Sequence, residues 1–152
     1  MNTENGFTEY RYFKSKHHNV PKLAFKFDVN YSQDKDVPTV LKFSYAICNE
    51  HDNFCRATAR KLLDERMENN NILVGAYRGN DISLVDTAMK IVDDTLDVVE
   101  RDNVQKVIKT DKNAIRNFNN IKKLRESHDW IMKIKNIDQM LENSIAEWRE
   151  TI

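Results

Sequence analysis

The chain has 152 residues, of which 40% are hydrophobic and 32% are charged. This length suits one domain with a real core and is too short for two independent domains joined by a linker. Its 24 basic and 24 acidic side chains cancel, so the molecule as a whole does not attract nucleic acid or anionic membranes, and any such binding must come from a local patch.

Two segments near the N-terminus alternate between apolar and polar residues, which is the pattern of a strand with one buried face. The apolar positions of the first are Leu23, Phe25, Phe27, Val29 and Tyr31, and those of the second are Leu41, Phe43, Tyr45 and Ile47. The polar loop between them, SQDKDVP, predicts an antiparallel hairpin. The aromatic-rich segment 7–13 predicts an edge strand, and ILVGAY at 72–77 predicts a further short strand.

Residues 52–69 show the three-to-four spacing of one helical face. The apolar members of this face are Cys55, Ala59, Leu62, Leu63 and Met67. The predicted order is therefore β-β-α-β, with the helix over one face of a small antiparallel sheet. Gly79 suits a turn and Asn80 or Asp81 suits an N-cap. We predict an α+β fold with a sheet domain at 1–79 and a helical region at 80–152, both within one compact unit.

Beyond this joint, apolar residues recur at alternating spacings of three and four, which is a heptad seam. The seam residues are Ile82, Val85, Met89, Val92, Leu96 and Val99. The predicted sheet is too small to cover every helix, so we expect this seam to contact a second copy of the chain in a dimer or higher oligomer. The register breaks near Asn103, and 115–124 predicts a middle helix. A last helix carries Trp130, Ile134, Ile137, Leu141 and Trp148 on one side, with Ile145 adjoining.

Charge is segregated within the helical half. Residues 81–102 hold seven acidic and two basic side chains, whereas 106–135 hold nine basic and three acidic ones. One interpretation is nucleic-acid binding, with lysines on phosphates and Phe118 and Trp130 as stacking faces. That interpretation uses Lys109, Lys112, Arg116, Lys122, Lys123 and Arg125. The other is assembly, in which the acidic helix pairs with the basic segment within or between chains, and the neutral net charge favours it.

Cys48, His51 and Cys55 form a C-x2-H-x3-C spacing that raises the question of a metal site. Zinc needs three or four converging ligands, and the fourth would have to come from elsewhere in the chain. The alternative is a turn after a strand, with Cys55 on the apolar face of the following helix, where a free cysteine behaves as a small hydrophobe. We favour this alternative and predict no metal and no cofactor.

Arg56 and Arg60 are four residues apart and so lie on one side of the predicted helix, with Arg78 after the following strand. Guanidinium groups present planar donors that suit phosphate or carboxylate, so these three are candidates for binding an anion. The alternative is a solvent-facing surface in which Arg60 pairs with Asp64. The chain carries no catalytic motif, so we predict a binding protein rather than an enzyme.

The compartment is predicted from what the sequence lacks. The start MNTENGFTEY has neither the basic region nor the apolar run of a signal peptide. No apolar stretch approaches the roughly 20 residues of a membrane span, and two cysteines do not form a secreted disulfide framework. We therefore expect a cytoplasmic protein that does not bind membranes.

The segment FSYAICNEHDNFCRATAR at 43–60 resembles one found in small proteins encoded by bacteriophages, in which a strand and a cysteine precede D-x-F-x-R-x-x-G-R at the start of a helix. Asp52, Phe54, Arg56 and Arg60 match this pattern, whereas Ala59 stands where glycine is often found. The resemblance implies a phage accessory protein, a class that includes antagonists of host defences, sequesterers of nucleotide signals and binders of host enzymes. Our leading hypothesis is a non-catalytic protein that neutralises a host factor or captures a small anionic ligand in the host cytoplasm. The alternative is a nucleic-acid-binding regulator that uses 106–135.

Overall fold

The computed structural model describes residues 6–14, 17, 20–34, 36–48, 55–77, 83–101 and 112–151, and the side chains of 99–101, 112–115 and 151 lie outside this description. The strands are β1 (Gly6–Phe13), β2 (Lys22–Asn30), β3 (Val40–Cys48) and β4 (Leu73–Ala76). The helices are α1 (Arg56–Glu68), α2 (Leu84–Arg101) and α3 (Lys112–Thr151). The predicted α+β class is confirmed, as is the predicted edge strand. Among the described helices, none combines the length and apolarity that crossing a membrane requires.

The four strands form one antiparallel sheet in the order β1-β2-β3-β4. Alternation along β2 separates its two faces, because successive side chains of a strand point in opposite directions. One face is built of large residues that are fully buried, namely Leu23, Phe25, Phe27 and Val29 of β2 with Leu41 and Phe43 of β3. These are the positions that the period of two predicts. The predicted hairpin is confirmed, with Phe25 opposite Tyr45 and Phe27 opposite Phe43.

Helices cover both faces of the sheet. On one face α1 packs through Leu63 onto Ala24 and Ala46, and these small side chains let the helix approach the strands closely. The hydroxyl of Ser44, which is fully buried, donates a hydrogen bond of 2.9 Å to the carbonyl oxygen of Leu63. Helices α2 and α3 cover the other face and complete the main core.

The described side chains of the seam predicted at 82–99 lie in or against this core. Met89 and Val92 are buried against the sheet, and Val85 and Leu96 pack around the same cluster. In β4, a Cβ atom added to Gly75 would lie 2.4 Å from Cγ1 of Ile91, so the glycine lets α2 approach. The expectation that this seam needs a second chain for cover is therefore wrong, because the chain's own sheet covers it. Ile82 and the side chain of Val99 lie outside the described residues.

Helix α3 unites the predicted middle and last helices in one 40-residue helix, about 60 Å long at 1.5 Å per residue. Its first half packs on the core through Leu124 and Ile131. Nε of Arg125 lies 3.1 Å from Oδ1 of Asp93, so the acidic α2 and the basic part of α3 pair within the chain, as the assembly interpretation expects. From Gln139 to Glu150 every side chain is exposed.

His128 is the buried titratable group on α3. Its ring contacts Phe13 edge-on at 6.5 Å, and Nδ1 has no hydrogen-bond partner among the described residues, with Asp129 Oδ1 4.0 Å away. Burial lowers the pKa of His128 below its ordinary value of 6.5, and Asp129, Asp86 and Asp93 oppose this only in part, while Arg125 adds to it. The folded protein thus holds this imidazole neutral.

Acid should therefore destabilise the fold through His128. Because its pKa is lower in the folded chain, the stability it contributes is complete above pH 6.5 and is lost as the pH falls through the lowered folded pKa. The free energy of unfolding, measured by urea titration at pH 8 and at pH 5.5, should fall more for the natural protein than for His128→Phe. The difference between the two proteins should be at most about 1.4 kcal/mol per pH unit. Equal losses in the two proteins would contradict this assignment.

Candidate functional site

A pocket of about 270 Å³ lies at the edge of the sheet beside β3. Strand β4 pairs with β3 only from Val40 to Phe43, so the second half of β3 extends past the β4 ladder. The end of α1, the segment that enters β4 and the first half of α3 surround this edge. The polar lining residues are Arg66, Asn71, Asn117, Asn120 and Lys123, and the others are Tyr45, Ile47, Ile72, Leu73 and Ile121.

Local structure at the end of α1 places two of the polar groups. Arg66 lies in the last turn of α1, where a guanidinium can reach past the sheet edge, and its Nη1 donates a hydrogen bond to the carbonyl oxygen of Tyr45. Asn70 adopts the left-handed conformation, with φ of 57°, which asparagine tolerates better than most residues. This reverses the chain, and the N–H of Asn71 donates to the carbonyl oxygen of Arg66 at 2.8 Å. Arg66 and Asn71 therefore reach the pocket together.

The pocket is rich in hydrogen-bond donors and has no acidic residue in its described lining. Arg66 and Lys123 bring two positive charges, and three asparagine amides add neutral donors and acceptors. Burial raises the pKa of Tyr45, although the charge of Arg66 partly opposes this, so its phenol stays protonated at neutral pH. Ile47, Leu73 and Ile121 offer apolar contact beside these groups. The arrangement suits an anionic ligand that also has an apolar or aromatic part.

The arginines that the sequence singled out lie elsewhere. Arg56 stacks over the ring of Tyr12 at 5.1 Å and Arg60 over that of Tyr10 at 4.3 Å, on the α1 side of β1. Neither lines the pocket, and Arg78 lies outside the described residues. Asp64, suggested as the partner of Arg60, is instead bonded by Nζ of Lys26 at 2.8 Å and by the Tyr10 hydroxyl at 2.5 Å. These two hydrogen bonds lower the pKa of Asp64.

The basic residues of the nucleic-acid alternative fall into three groups. Arg116, Lys122 and Lys123 are exposed on α3, and Lys122 lies over the ring of Phe118 at 5.4 Å. Arg125 pairs with Asp93 and Asp129. Lys109 and the side chain of Lys112 are outside the described residues. A solvent-facing basic surface is therefore present, but it is smaller than the sequence predicted because Arg125 is neutralised.

The cysteines do not form a metal centre in the part of the chain that the structure describes, where no three His, Cys, Asp or Glu side chains converge. Cys48 is half-buried and Cys55 is exposed, neither is in a disulfide within the described residues, and His51 is outside them. The predicted placement of Cys55 on the buried face of α1 is wrong, because the helix begins at Arg56 and Cys55 is its N-cap. The N–H and hydroxyl of Thr58 and the N–H of Ala57 lower the pKa of the Cys55 thiol.

Sequence reasoning missed Arg66 and the asparagines. Two runs, NNN at 69–71 and NFNN at 117–120, interrupt otherwise periodic segments and were the available signal. Nothing in the sequence showed that they meet, since they approach only when α3 crosses the sheet edge. No protein-family model, curated protein or solved structure matches this chain, so the pocket geometry is what supports a function.

Proposed function

We propose that this chain is a non-catalytic binding protein that captures a small anionic ligand in the pocket beside β3. The observation that carries the proposal is the lining itself, in which Arg66 and Lys123 face one cavity without a carboxylate among the described lining residues. Charge-assisted hydrogen bonds to such an anion are roughly twice as strong as neutral ones. The volume of about 270 Å³ is close to the lower end of the range for ligand pockets, which fits a ligand of mononucleotide size or smaller.

The proposed ligand class agrees with the phage-type setting that the 43–60 segment suggests. A protein that captures a nucleotide-type signal withholds it from a host enzyme without chemistry of its own. Binding of a host protein instead of a small molecule is the other form of this function. Both would take place in the host cytoplasm.

Ligand capture is tested by calorimetric titration with a matched panel. Nucleoside monophosphates, sugar phosphates and dicarboxylates represent small anions, and the corresponding uncharged nucleosides and sugars are the controls. We expect heat of binding and a raised melting temperature only with anionic members, because bound ligand stabilises the folded state. Equal responses to the charged and uncharged members of a pair would contradict the proposal.

Arg66→Gln should weaken the binding of an anionic ligand about 10- to 100-fold, because a hydrogen bond to a charged group contributes roughly 1.5–3 kcal/mol. Arg60→Gln is the matched control, since the same substitution on the same helix leaves the pocket lining unchanged. Lys123→Gln removes the other positive charge of the lining and keeps the hydrogen bond from Arg66 to the carbonyl oxygen of Tyr45, so it tests the effect of charge by itself. If Arg60→Gln weakens binding as much as Arg66→Gln, the pocket is not the site.

Nucleic-acid binding is the second candidate, because Arg116, Lys122 and Lys123 are exposed on neighbouring turns of α3. It predicts retention on DNA or RNA at low salt and steep loss of affinity as salt is added. Charge reversal at Arg116 and Lys122 should abolish that retention, whereas Arg66→Gln should not change it. Lys123 belongs to both candidate sites, and the remaining side chains differ, with Arg66 in the pocket and Arg116 and Lys122 on the basic surface.

A further inference from the structure

The second half of α3 carries an apolar stripe whose side chains remain exposed in the described part of the chain. Ile137, Met140, Leu141, Ile145 and Trp148 are 43–68% exposed, and Trp130 extends the stripe toward the core with 42% exposed. At about 100° per residue, Ile137, Met140 and Trp148 lie about 120° or more around the helix from Leu124, which is buried in the core, whereas Leu141 lies about 100° and Ile145 about 60° from it. The helix therefore has two apolar faces, one used by the sheet and one open.

A projecting helix with an exposed apolar stripe is expected to bury that stripe against another surface. Every residue from Gln139 to Glu150 is exposed, and an unsupported helix of about this length is marginal in water. Soluble monomers rarely leave contiguous apolar patches of this kind in solvent. The spacing 130, 134, 137, 141, 148 alternates threes and fours with one position, Ser144, filled by a polar residue. This spacing suits the seam of a two-stranded coiled coil.

We propose that the occupant of this stripe is a second copy of the chain, bound antiparallel along 130–148 about a two-fold axis near Gln139. The stripe is self-complementary in that arrangement, because positions equally far from Gln139 face each other. Ile137 lies opposite Leu141 of the second copy and Trp130 opposite Trp148, while Ile134, which is partly buried and also packs on the chain's own core, lies opposite Ser144. A large residue thus faces the small serine.

Charge along the stripe favours the antiparallel direction. The first part, 132–136, contains Lys133 and Lys135, whereas 138–150 contains four acidic residues and one arginine, a balance of minus three. Antiparallel pairing places the basic part of one copy beside the acidic part of the other, with Lys133 flanking Glu147. Parallel pairing would place Glu147 beside position 152, an isoleucine, and Lys133 beside Asp138, whose Oδ1 already lies 3.1 Å from Nε2 of His17 in the same chain. The antiparallel direction also keeps the two sheet domains at opposite ends of the helix pair.

Sedimentation equilibrium of the full chain at several concentrations tests the proposal. The natural protein should have a mass near twice 17.9 kDa at micromolar concentration. Leu141→Asp should have the mass of one chain while keeping the melting temperature of its fold, because Leu141 is 57% exposed within a single chain. Ala146→Asp, on the opposite side of the helix, is the matched control and should stay dimeric. A monomeric natural protein at 100 µM, or an undiminished dimer in Leu141→Asp, would overturn the proposal.

The direction of pairing is tested by exchanging charges. Lys133→Glu and Glu147→Lys should each weaken the dimer severalfold, and the double variant should recover the natural affinity because both flanking pairs are restored. In a parallel pair Lys133 would flank Asp138 of the second copy, so the double variant would not recover, and that result would overturn the antiparallel arrangement.

The pocket lies on the first half of α3, so ligand binding should be unchanged in Leu141→Asp. Ligand binding therefore tests the proposed function separately from the dimer.

Discussion

Val92→Asp should abolish the folded state, whereas the same substitution at Leu141 should leave it intact. Val92 is fully buried between α2 and the sheet, and its cluster contains Phe27 and Phe43. An unpaired carboxylate there must either stay charged in an apolar site or be protonated, and either way the cost is several kcal/mol. Because domains of this size are stable by only about 5–15 kcal/mol, we expect loss of the cooperative thermal transition in circular dichroism.

This pair of variants tests which surface buries the apolar face of α2. Both residues lie in heptad-spaced stripes, but Val92 is buried within one chain and Leu141 is largely exposed. If Val92→Asp folded normally and only lost self-association, then α2 would be an intermolecular element after all. The packing of α2 on the sheet would then be refuted.

The periodicity of the sequence predicted an apolar stripe on α2 and another on α3, but it could not predict which surface packs against each stripe. Spacings of three and four occur wherever a helix presents one face, whether to a sheet, to another helix or to another chain. The described part of the seam at 82–99, from Val85 to Leu96, meets the sheet because Gly75 in β4 lacks the side chain that would hold α2 away. That glycine is visible in the sequence, but its position opposite Ile91 depends on the three-dimensional path of the chain.

Sequence spacing predicted the candidate site less well than it predicted the two stripes. Arg56 and Arg60 were selected because they share one helical side, and the structure confirms that they do, but it places tyrosines of β1 beneath them. Arg66 had no sequence feature that set it apart. It is distinguished by the start of β4 at Leu73, because β3 beyond Phe43 has no β4 partner and leaves an edge for the guanidinium to reach. Where strands stop pairing is a property of the whole sheet and cannot be read from local spacing.

The central strands were the most predictable part, because alternation in β2 and β3 depends only on the two faces of a pleated sheet. The same residues should dominate the stability of the fold. Phe25 is fully buried and contacts three other aromatic rings, those of Phe13, Phe27 and Phe43, at centroid distances of 5.9, 5.4 and 6.3 Å. This cluster joins three strands beneath α2 and α3.

Phe25→Ala should lower the free energy of unfolding by about 3–5 kcal/mol, measured by urea titration followed by tryptophan fluorescence or circular dichroism. The loss combines the transfer free energy of the ring with the cavity that β2 cannot close, since its neighbours on both sides are held by strand pairing. Tyr31→Ala is the matched control, because that ring is 46% exposed just beyond the end of β2, where losses are usually within about 0.5 kcal/mol. Phe25→Leu should fall between the two, because it keeps most of the apolar volume. Similar losses for Phe25→Ala and Tyr31→Ala would mean that the aromatic cluster is not the centre of the core, and the face assignment of β2 would have to be reversed.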